Sequence, residues 1–481
     1  MKRHLTLLLS FFTVTLSLIA GGPKYLFLFI GDGMGAEQIN AVQMYINAIQ
    51  GTEQKLNMLQ FPVKGVTKTS AANFFITDSA AAGTAIATGH KTNIGVLGLD
   101  PSLNRELETV AERCQTLGMK VGIITTVSAD HATPAAFYAH QTSRSHYYEI
   151  ARQLVESDFN FFGTGSLRYP AGKYDEKENI FDYAQQNGYK LINTQSEYAS
   201  FRPEASTEEK IWIISEKIAG DSAIPYSIDN TNTFDIDDIT QTAIDFLYNE
   251  SGFFLMIEAG KVDWACHAND AAAAIHDLLA FDRAIAHAVD FYRKYPEDTL
   301  IIVTGDHETG GLKTDFIGTN HISDIRLIQN QLISQEAFTE KLNDLYDNNL
   351  LNDFNSDLLP QIERYFGLYA TQNHTEKAST PLSEDELLLL KKAFDEFQKF
   401  KETGSSEYTS PYGEYNPVAV TCTHILNKKA GLTWSTYTHT GMPVNTYALG
   451  NGEALFSGYY ENTRIAKNIF ELLEREGNQE H

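Results

Sequence analysis

Cysteine is scarce in this chain: Cys114, Cys266 and Cys422 are the full complement in 481 residues, and no Cys-x-x-Cys pair occurs. That argues against a thiolate zinc site. It leaves room for one disulfide, which an exported protein could form with a single thiol left over. Cys266, beside His267, reads as a small helix-face residue. Basic residues are also few, 37 Lys and Arg against 62 Asp and Glu, for a formal net charge of −25. Such a surface lacks the basic footprint of a nucleic-acid binder. It does not exclude a small anionic substrate, because bound metal ions reverse the local field. There is no G-x-S-x-G segment, so a Ser-His-Asp hydrolase of the nucleophile-elbow kind has no support. Internal repeats and low-complexity linkers are absent. The one long apolar run is N-terminal, in "MKRHLTLLLSFFTVTLSLIAGGPKY". Lys2 and Arg3, then apolar residues, then small residues, have the order of a secretory signal. The run is too short and too quickly broken to be a comfortable membrane span. Cleavage near Ala20 and a periplasmic or extracellular location are expected, with no stable membrane span.

A chain of this length with 43% hydrophobic residues can hold one large core with insertions, or two to three modest domains. Four apolar runs read as buried parallel strands: "YLFLFI" (Tyr25–Ile30), "KVGIITTV" (Lys120–Val127), "FFLMI" (Phe253–Ile257) and "TLIIVT" (Thr299–Thr304). "VNTYAL", from Val444, is a fifth candidate. Helical-period segments separate them, which predicts an α/β fold. The expected architecture is a large central, mostly parallel sheet flanked by helices on both faces, with an inserted cap- or crown-like region. Residues 1–20 would be the signal peptide, and 21–310 with 437–481 the core. Residues 311–436 would be the insertion, forming a cap, a crown or a dimer interface. The mixed, loop-rich stretch from about Glu156 to Phe234 also reads as inserted. Within the second insertion, Ser383 and Glu386 form a capping-box pattern ahead of an amphipathic helix, and "EAFTEKLNDLYDN" reads as another helix.

The residues just after each strand are more informative. The first strand runs into Gly31-Asp32-Gly33 and the second into "SADHATPA", with His131 and Thr133. The third runs into Glu258 and "AGKVDWACH", with Asp263 and His267, and the fourth into "GDHETGG", with Asp306 and His307. Taken singly, each has a plain structural reading. "GDGMG" is a Gly-rich turn, whose Asp32 would repel a pyrophosphate. "DHETGG" is an Asx-type turn, and Asp263 and His267 share a helix face at i, i+4. Together they put too much charge at one sheet edge for a dry site, unless cations neutralise it. His and Asp ligands without Cys suit Zn²⁺, and an oxygen-rich set suits Mg²⁺. His439, in "THTGMPVNTYALG", is a further candidate ligand. Asp78-Ser79 then has two readings, a helix N-cap or a hydroxyl facing an anion site at a helix start. A metal ion touching Ser79 would depress its hydroxyl pKa without a general base, and a two-metal site suits in-line displacement at phosphorus.

"ITDSAAAGT" closely resembles the nucleophile signature of alkaline phosphatases. The resemblance continues, in family order, through "FIGDGMG", "HATPAAFYAHQTSR", "FFGTGSLRY", "EAGKVDWACH", "TGDHETGG" and "HTGMPV". It covers most of the chain outside the two insertions. Position by position, it implies Ser79 as the nucleophile that becomes phosphorylated. It implies Asp263, His267 and His439 as ligands of one zinc, and Asp32, Asp306 and His307, with the Ser79 oxygen, as ligands of a second. Asp32 would bridge to a third site, normally Mg²⁺, with Thr133 and Glu258. Arg144 would clamp two phosphate oxygens through its planar fork. Three positions depart from the family's best-studied bacterial pattern. His131 and Trp264, both beside the ligands, replace an Asp and a Lys, and Thr309 replaces a His. His131 would weaken Mg²⁺ or admit Zn²⁺ at the third site. Loss of the Lys would loosen phosphate and speed product release.

The implied activity is hydrolysis of small-molecule phosphate monoesters, with two Zn²⁺ and one Mg²⁺ as cofactors and an alkaline optimum. A homodimer is expected. The alternatives are a phosphodiesterase or sulfatase of the same superfamily, and a non-catalytic exported anion-binding protein.

Overall fold

The computed structural model describes residues 21–203, 209–229, 234–314, 323–370, 380–403 and 411–477. The signal-peptide expectation over 1–20 falls outside the described residues. Ten strands form one sheet. They are β1 (Tyr25–Gly31), β2 (Val63–Lys68), β3 (Lys120–Thr125), β4 (Phe161–Thr164), β5 (Tyr189–Ile192), β6 (Lys210–Ile214), β7 (Phe253–Ala259), β8 (Thr299–Gly305), β9 (Val444–Gly450) and β10 (Gly458–Glu461). Their spatial order is β10-β2-β9-β8-β1-β7-β3-β4-β6-β5. β9 is antiparallel to both of its neighbours, β8 and β2, and every other pair is parallel.

The alternation along β1 explains its unbroken apolar sequence. Tyr25, Phe27 and Phe29 point into an apolar cluster shared with the helices Ala36–Gln50 and Ala271–Lys294. Leu26, Leu28 and Ile30 point into a second cluster, with the helices Ser79–Thr88 and Thr463–Gly477. A strand buried on both faces has no need of polar positions. Each of these side chains contributes roughly 1.5–3 kcal/mol by leaving water. A third apolar cluster, around Phe338, Ile362, Phe394 and Leu426, lies within residues 338–426. There Ser383 Oγ accepts from the Glu386 amide (3.2 Å) and Glu386 accepts from the Ser383 amide (2.8 Å), closing the capping box of the helix Glu384–Thr403.

The stretch Glu156–Phe234, expected to be inserted, is instead part of the sheet. It supplies β4, β5 and β6, one whole flank. These strands are only four or five residues long, too short for a clear period. Cys266, Cys114 and Cys422 are buried in three different apolar clusters, so no two of them are neighbours for a disulfide. Among the described residues no helix is long and apolar enough to cross a membrane.

The four strands that carry the candidate ligands lie side by side, as β8-β1-β7-β3. Gly31 is in register with Gly305, so Asp32 and Asp306 leave neighbouring strands at the same level. Glu258 is in register with Ile30 on one side and Thr125 on the other. Because β9 runs the opposite way, its first residues, not its last, lie at this rim, directly after His439.

Candidate metal centre and active site

Ser79 is the first residue of the helix Ser79–Thr88, and Asp78 caps it by accepting from the Ala81 amide at 3.0 Å. Both readings of the Asp-Ser pair therefore hold together: Asp78 is the cap, and Ser79 is left with its hydroxyl at the helix start. That hydroxyl is buried and lies 3.3 Å from His307 Nε2. Asp78 also accepts from Arg144 Nη1 at 3.1 Å and from the Gly95 amide, so the guanidinium is anchored beside the nucleophile. The other fork of Arg144 donates to His131 Nε2 at 3.1 Å.

Three groups of side chains converge on this point. Asp263, His267 and His439 form one, Asp32, Asp306 and His307 a second, and Asp32, His131 and Glu258 a third, with ligand atoms in each within 4.8 Å of one another. In the first, His267 Nε2 lies 3.3 Å and His439 Nε2 3.6 Å from the Asp263 carboxylate, and the two imidazole nitrogens are 3.1 Å apart. In the second, His307 Nε2 is 3.3 Å from Asp32 and 3.4 Å from Asp306. Thr133 Oγ1 donates to Asp32 Oδ2 at 3.3 Å, and Glu258 accepts from Thr125 Oγ1. The His439 ring stacks on His307 with centroids 3.7 Å apart, joining the first two groups.

The three histidines of these two groups share a design. His267 Nδ1 faces the Tyr437 carbonyl at 2.6 Å, and His439 Nδ1 faces the Thr77 carbonyl at 2.9 Å. Only a protonated Nδ1 satisfies a carbonyl, so Nε2 is the nitrogen turned to the centre, and in the neutral ring it presents its lone pair there. Thr309 does the same for His307. Its hydroxyl donates to Asp263 Oδ1 at 2.5 Å, which leaves its oxygen to accept from His307 Nδ1 at 3.2 Å. The sequence marked Thr309 only as a departure; its place two residues after His307, on the short strand Glu308–Thr309 that pairs with His439–Thr440, makes it the tie between two groups of ligands.

Electrostatics say that this centre is short of positive charge. Burial, reinforced by neighbouring carboxylates, holds Asp32 and Asp306 well above the usual carboxylate range. Burial pushes Glu258 up to about 7. Asp263 lies well below that range, because the charge and hydrogen bond of His267 outweigh its burial. Burial and then the Arg144 charge bring His131 down to about 3. Asp32 Oδ1, Asp306 Oδ2 and Glu258 Oε1 are buried without a hydrogen-bond partner. Orphaned carboxylate oxygens beside imidazole nitrogens are what divalent cations satisfy, and these mixed carboxylate and imidazole donors fit Zn²⁺.

Gly33 makes the convergence possible. It has φ +70, and a Cβ there would come within 2.8 Å of the Asp263 Cα and 2.9 Å of its Oδ1. Trp264 packs edge-on against the His131 ring, with centroids 6.0 Å apart. Sequence reasoning treated Asp78 as a cap and missed its hold on Arg144, whose signal would have been a carboxylate next to the nucleophile.

A protein-family model described as alkaline phosphatase matches residues 23–475, and the chain belongs to that family. Alkaline phosphatase 4 of Bacillus subtilis (strain 168) is 28% identical over 460 residues, covering 92% of this chain and 87% of the relative. The solved structure of a cold-active alkaline phosphatase from the psychrophile Shewanella sp. is similar with a TM-score of 0.76 and 26% identity, over 93% of this chain and 99% of that one. A histidine-to-glutamate variant of the TAB5 alkaline phosphatase, described with Mg bound in the M3 site, has a TM-score of 0.63 and 25% identity, over 95% of this chain and 99% of that one. The chain is thus an alkaline phosphatase by family and fold, which implies hydrolysis of phosphate monoesters and sets aside the non-catalytic reading.

Proposed function

We propose that the enzyme cleaves phosphate monoesters in two steps through a phosphoserine at Ser79. The observation that carries this is the buried Ser79 hydroxyl at a helix start, 3.3 Å from His307 and beside an anchored arginine. Asp263, His267 and His439 would hold one Zn²⁺, Asp32, Asp306 and His307 a second, and Asp32, Thr133 and Glu258, with His131 near, Mg²⁺ or Zn²⁺. Bound there, the ions supply Lewis acidity, offset the carboxylate charge and depress the Ser79 hydroxyl pKa.

The chain's own groups account for the rest. Arg144 binds two phosphate oxygens through its fork, which Asp78 holds in orientation. The helix start directs N–H groups at the same anion. Ser79 Oγ gives up its proton to solvent and attacks phosphorus in line. The ester P–O bond breaks on the opposite side, and the departing alkoxide is protonated. Water then attacks the phosphoserine from the vacated side, the P–Oγ bond breaks, and phosphate leaves as Ser79 regains a proton. Thr309 keeps the His307 Nδ1 proton in place throughout. Catalysis is mostly positioning and charge stabilisation. Trp264 in place of a lysine leaves phosphate held by fewer cations, which favours release. Export through residues 1–20, a cap or interface role for 311–436, and a homodimer belong to the same reading, on the sequence features of those segments.

Brief incubation of the zinc- and magnesium-loaded enzyme with radiolabelled phosphate monoester and acid quench should trap label on Ser79, and Ser79→Ala should carry none. Ser79→Ala with unimpaired turnover overturns the proposal. Aryl phosphodiester or aryl sulfate turnover faster than aryl phosphate would move the substrate class to the superfamily's other branches.

A further inference from the structure

Next to the metal centre lies a cavity of about 460 Å³, walled by His267 and Trp264 on one side and by residues of the helix Gln335–Asp347 on the other. We propose that this cavity seats the alcohol part of the substrate and selects alcohols that bear an ammonium group. The inference rests on Ser79 as the nucleophile. In-line displacement drives the leaving oxygen away from Ser79, hence toward the group of Asp263, His267 and His439. His267 belongs both to that group and to the cavity wall.

The wall is aromatic and acidic. Trp264 and Tyr415 offer ring surface, and no lysine or arginine side chain lines it; Tyr226 is nearly buried, and the Lys261 ammonium lies 5.0 Å from the Trp264 ring centroid. Most of the nearby charge is already matched. Lys261, fully buried behind the wall, lies 3.7 Å from the Tyr226 ring centroid and bonds to Glu336 at 2.8 Å. Arg168 bonds to Asp221 at 2.6 Å. Glu340 and Glu414 remain, and among the described residues neither has an ion-pair partner. The Glu340 carboxyl is raised by burial, then by Glu336 and Asp344, against the charge of Lys261. A polar group is also unspent. Asn416, 2% exposed and part of the wall, uses Oδ1 to cap the helix Pro417–Ala430, and its Nδ2 has no partner.

Rings with two surplus carboxylates attract an ammonium group and repel a carboxylate or a second phosphate. The net charge of −25 acts in the same sense at long range. A short aminoalkyl phosphate can therefore put its phosphate at Ser79 and its ammonium group in the cavity.

The test compares 2-aminoethyl phosphate with propyl phosphate, which has the same heavy-atom count, and with 2-carboxyethyl phosphate. The metal-loaded enzyme is assayed at about pH 8, where the amine is protonated. We expect kcat/KM to fall in that order, with the first pair about tenfold apart, the size of a cation–π contact joined to a half-exposed carboxylate. The ratio should shrink severalfold in the Glu340→Gln/Glu414→Gln variant. It should shrink likewise for the unmutated enzyme on going to about 1 M salt, which screens the pair and serves if the variant fails to fold. A ratio near one in the unmutated enzyme, or one that neither perturbation lowers, overturns the inference. The Ser79→Ala variant separates the two claims. If it is inactive on propyl phosphate while the enzyme prefers no amine, the cavity assignment alone falls; if it is fully active, the reading of Ser79 falls, and the cavity assignment with it.

Discussion

Replacing Thr309 by valine changes one hydroxyl to a methyl group and leaves the volume almost unaltered. Two hydrogen bonds disappear, the one donated to Asp263 Oδ1 at 2.5 Å and the one accepted from His307 Nδ1 at 3.2 Å. No cavity forms, so the packing cost is small. The bond to the ionised Asp263 should be worth about 1.5–3 kcal/mol, and His307 Nδ1 is left buried with no acceptor. Because both partners are candidate metal ligands, that energy comes out of metal binding. At about 1.4 kcal/mol per tenfold it amounts to a loss of roughly 10- to 100-fold in affinity, the usual scale for removing a group that orients a ligand. Zinc affinity is read by competition with a chromophoric chelator, with a thermal melt to confirm folding. Thr309→Ser keeps the hydroxyl and should stay within about threefold of the unmutated protein, by the same reasoning. A folded Thr309→Val protein that binds zinc as tightly as its parent would refute the view that this hydroxyl ties the two groups of ligands together.

Gly33→Ala should cost activity and metal together, since its Cβ meets the Asp263 backbone at 2.8 Å and the backbone there has φ +70; metal content per chain is the measure. His131→Asp should raise Mg²⁺ affinity at the third group of ligands, because Mg²⁺ prefers oxygen donors, and isothermal titration with Mg²⁺ reads it directly. Arg144→Lys keeps the charge but loses the fork, and should raise KM for an aryl phosphate about tenfold or more in steady-state assays. Burial pushes the Asp277 carboxyl up to about 8, against the hydrogen bond it accepts from the Ser227 amide. Its folded pKa lies above the unfolded value, so its contribution to stability is fully present below about pH 4 and is lost as the pH rises to 8. Asp277→Asn should therefore raise Tm at pH 8 and change it little at pH 4, in calorimetric scans at the two values.

Much of the site could be read from the chain because most of the ligands lie at or just after the end of a strand that is apolar on both faces. Such strands are unmistakable, and the carboxyl ends of β8, β1, β7 and β3 had to meet once the strands were neighbours. The flank β4-β6-β5 was hidden because its strands are short, and a period cannot be recognised in four residues. The reversed direction of β9 was hidden because an apolar run carries no sign of its polarity. Thr309 and the link from Asp78 to Arg144 were invisible for a different reason. Each has a partner far away in sequence, Asp263 for Thr309 and Arg144 for Asp78, and only the folded rim brings them together.

The position of β9 bears on how the molecule is made. β2, formed from residues 63–68, hydrogen-bonds in the sheet only to β9 and β10, which are the last strands among the described residues. Until residues 444–461 have been made, that early segment has no edge to join. A prematurely terminated product would thus carry an unsatisfied strand open to aggregation or proteolysis. The topology makes the sheet edge beside the metal centre depend on a segment far downstream.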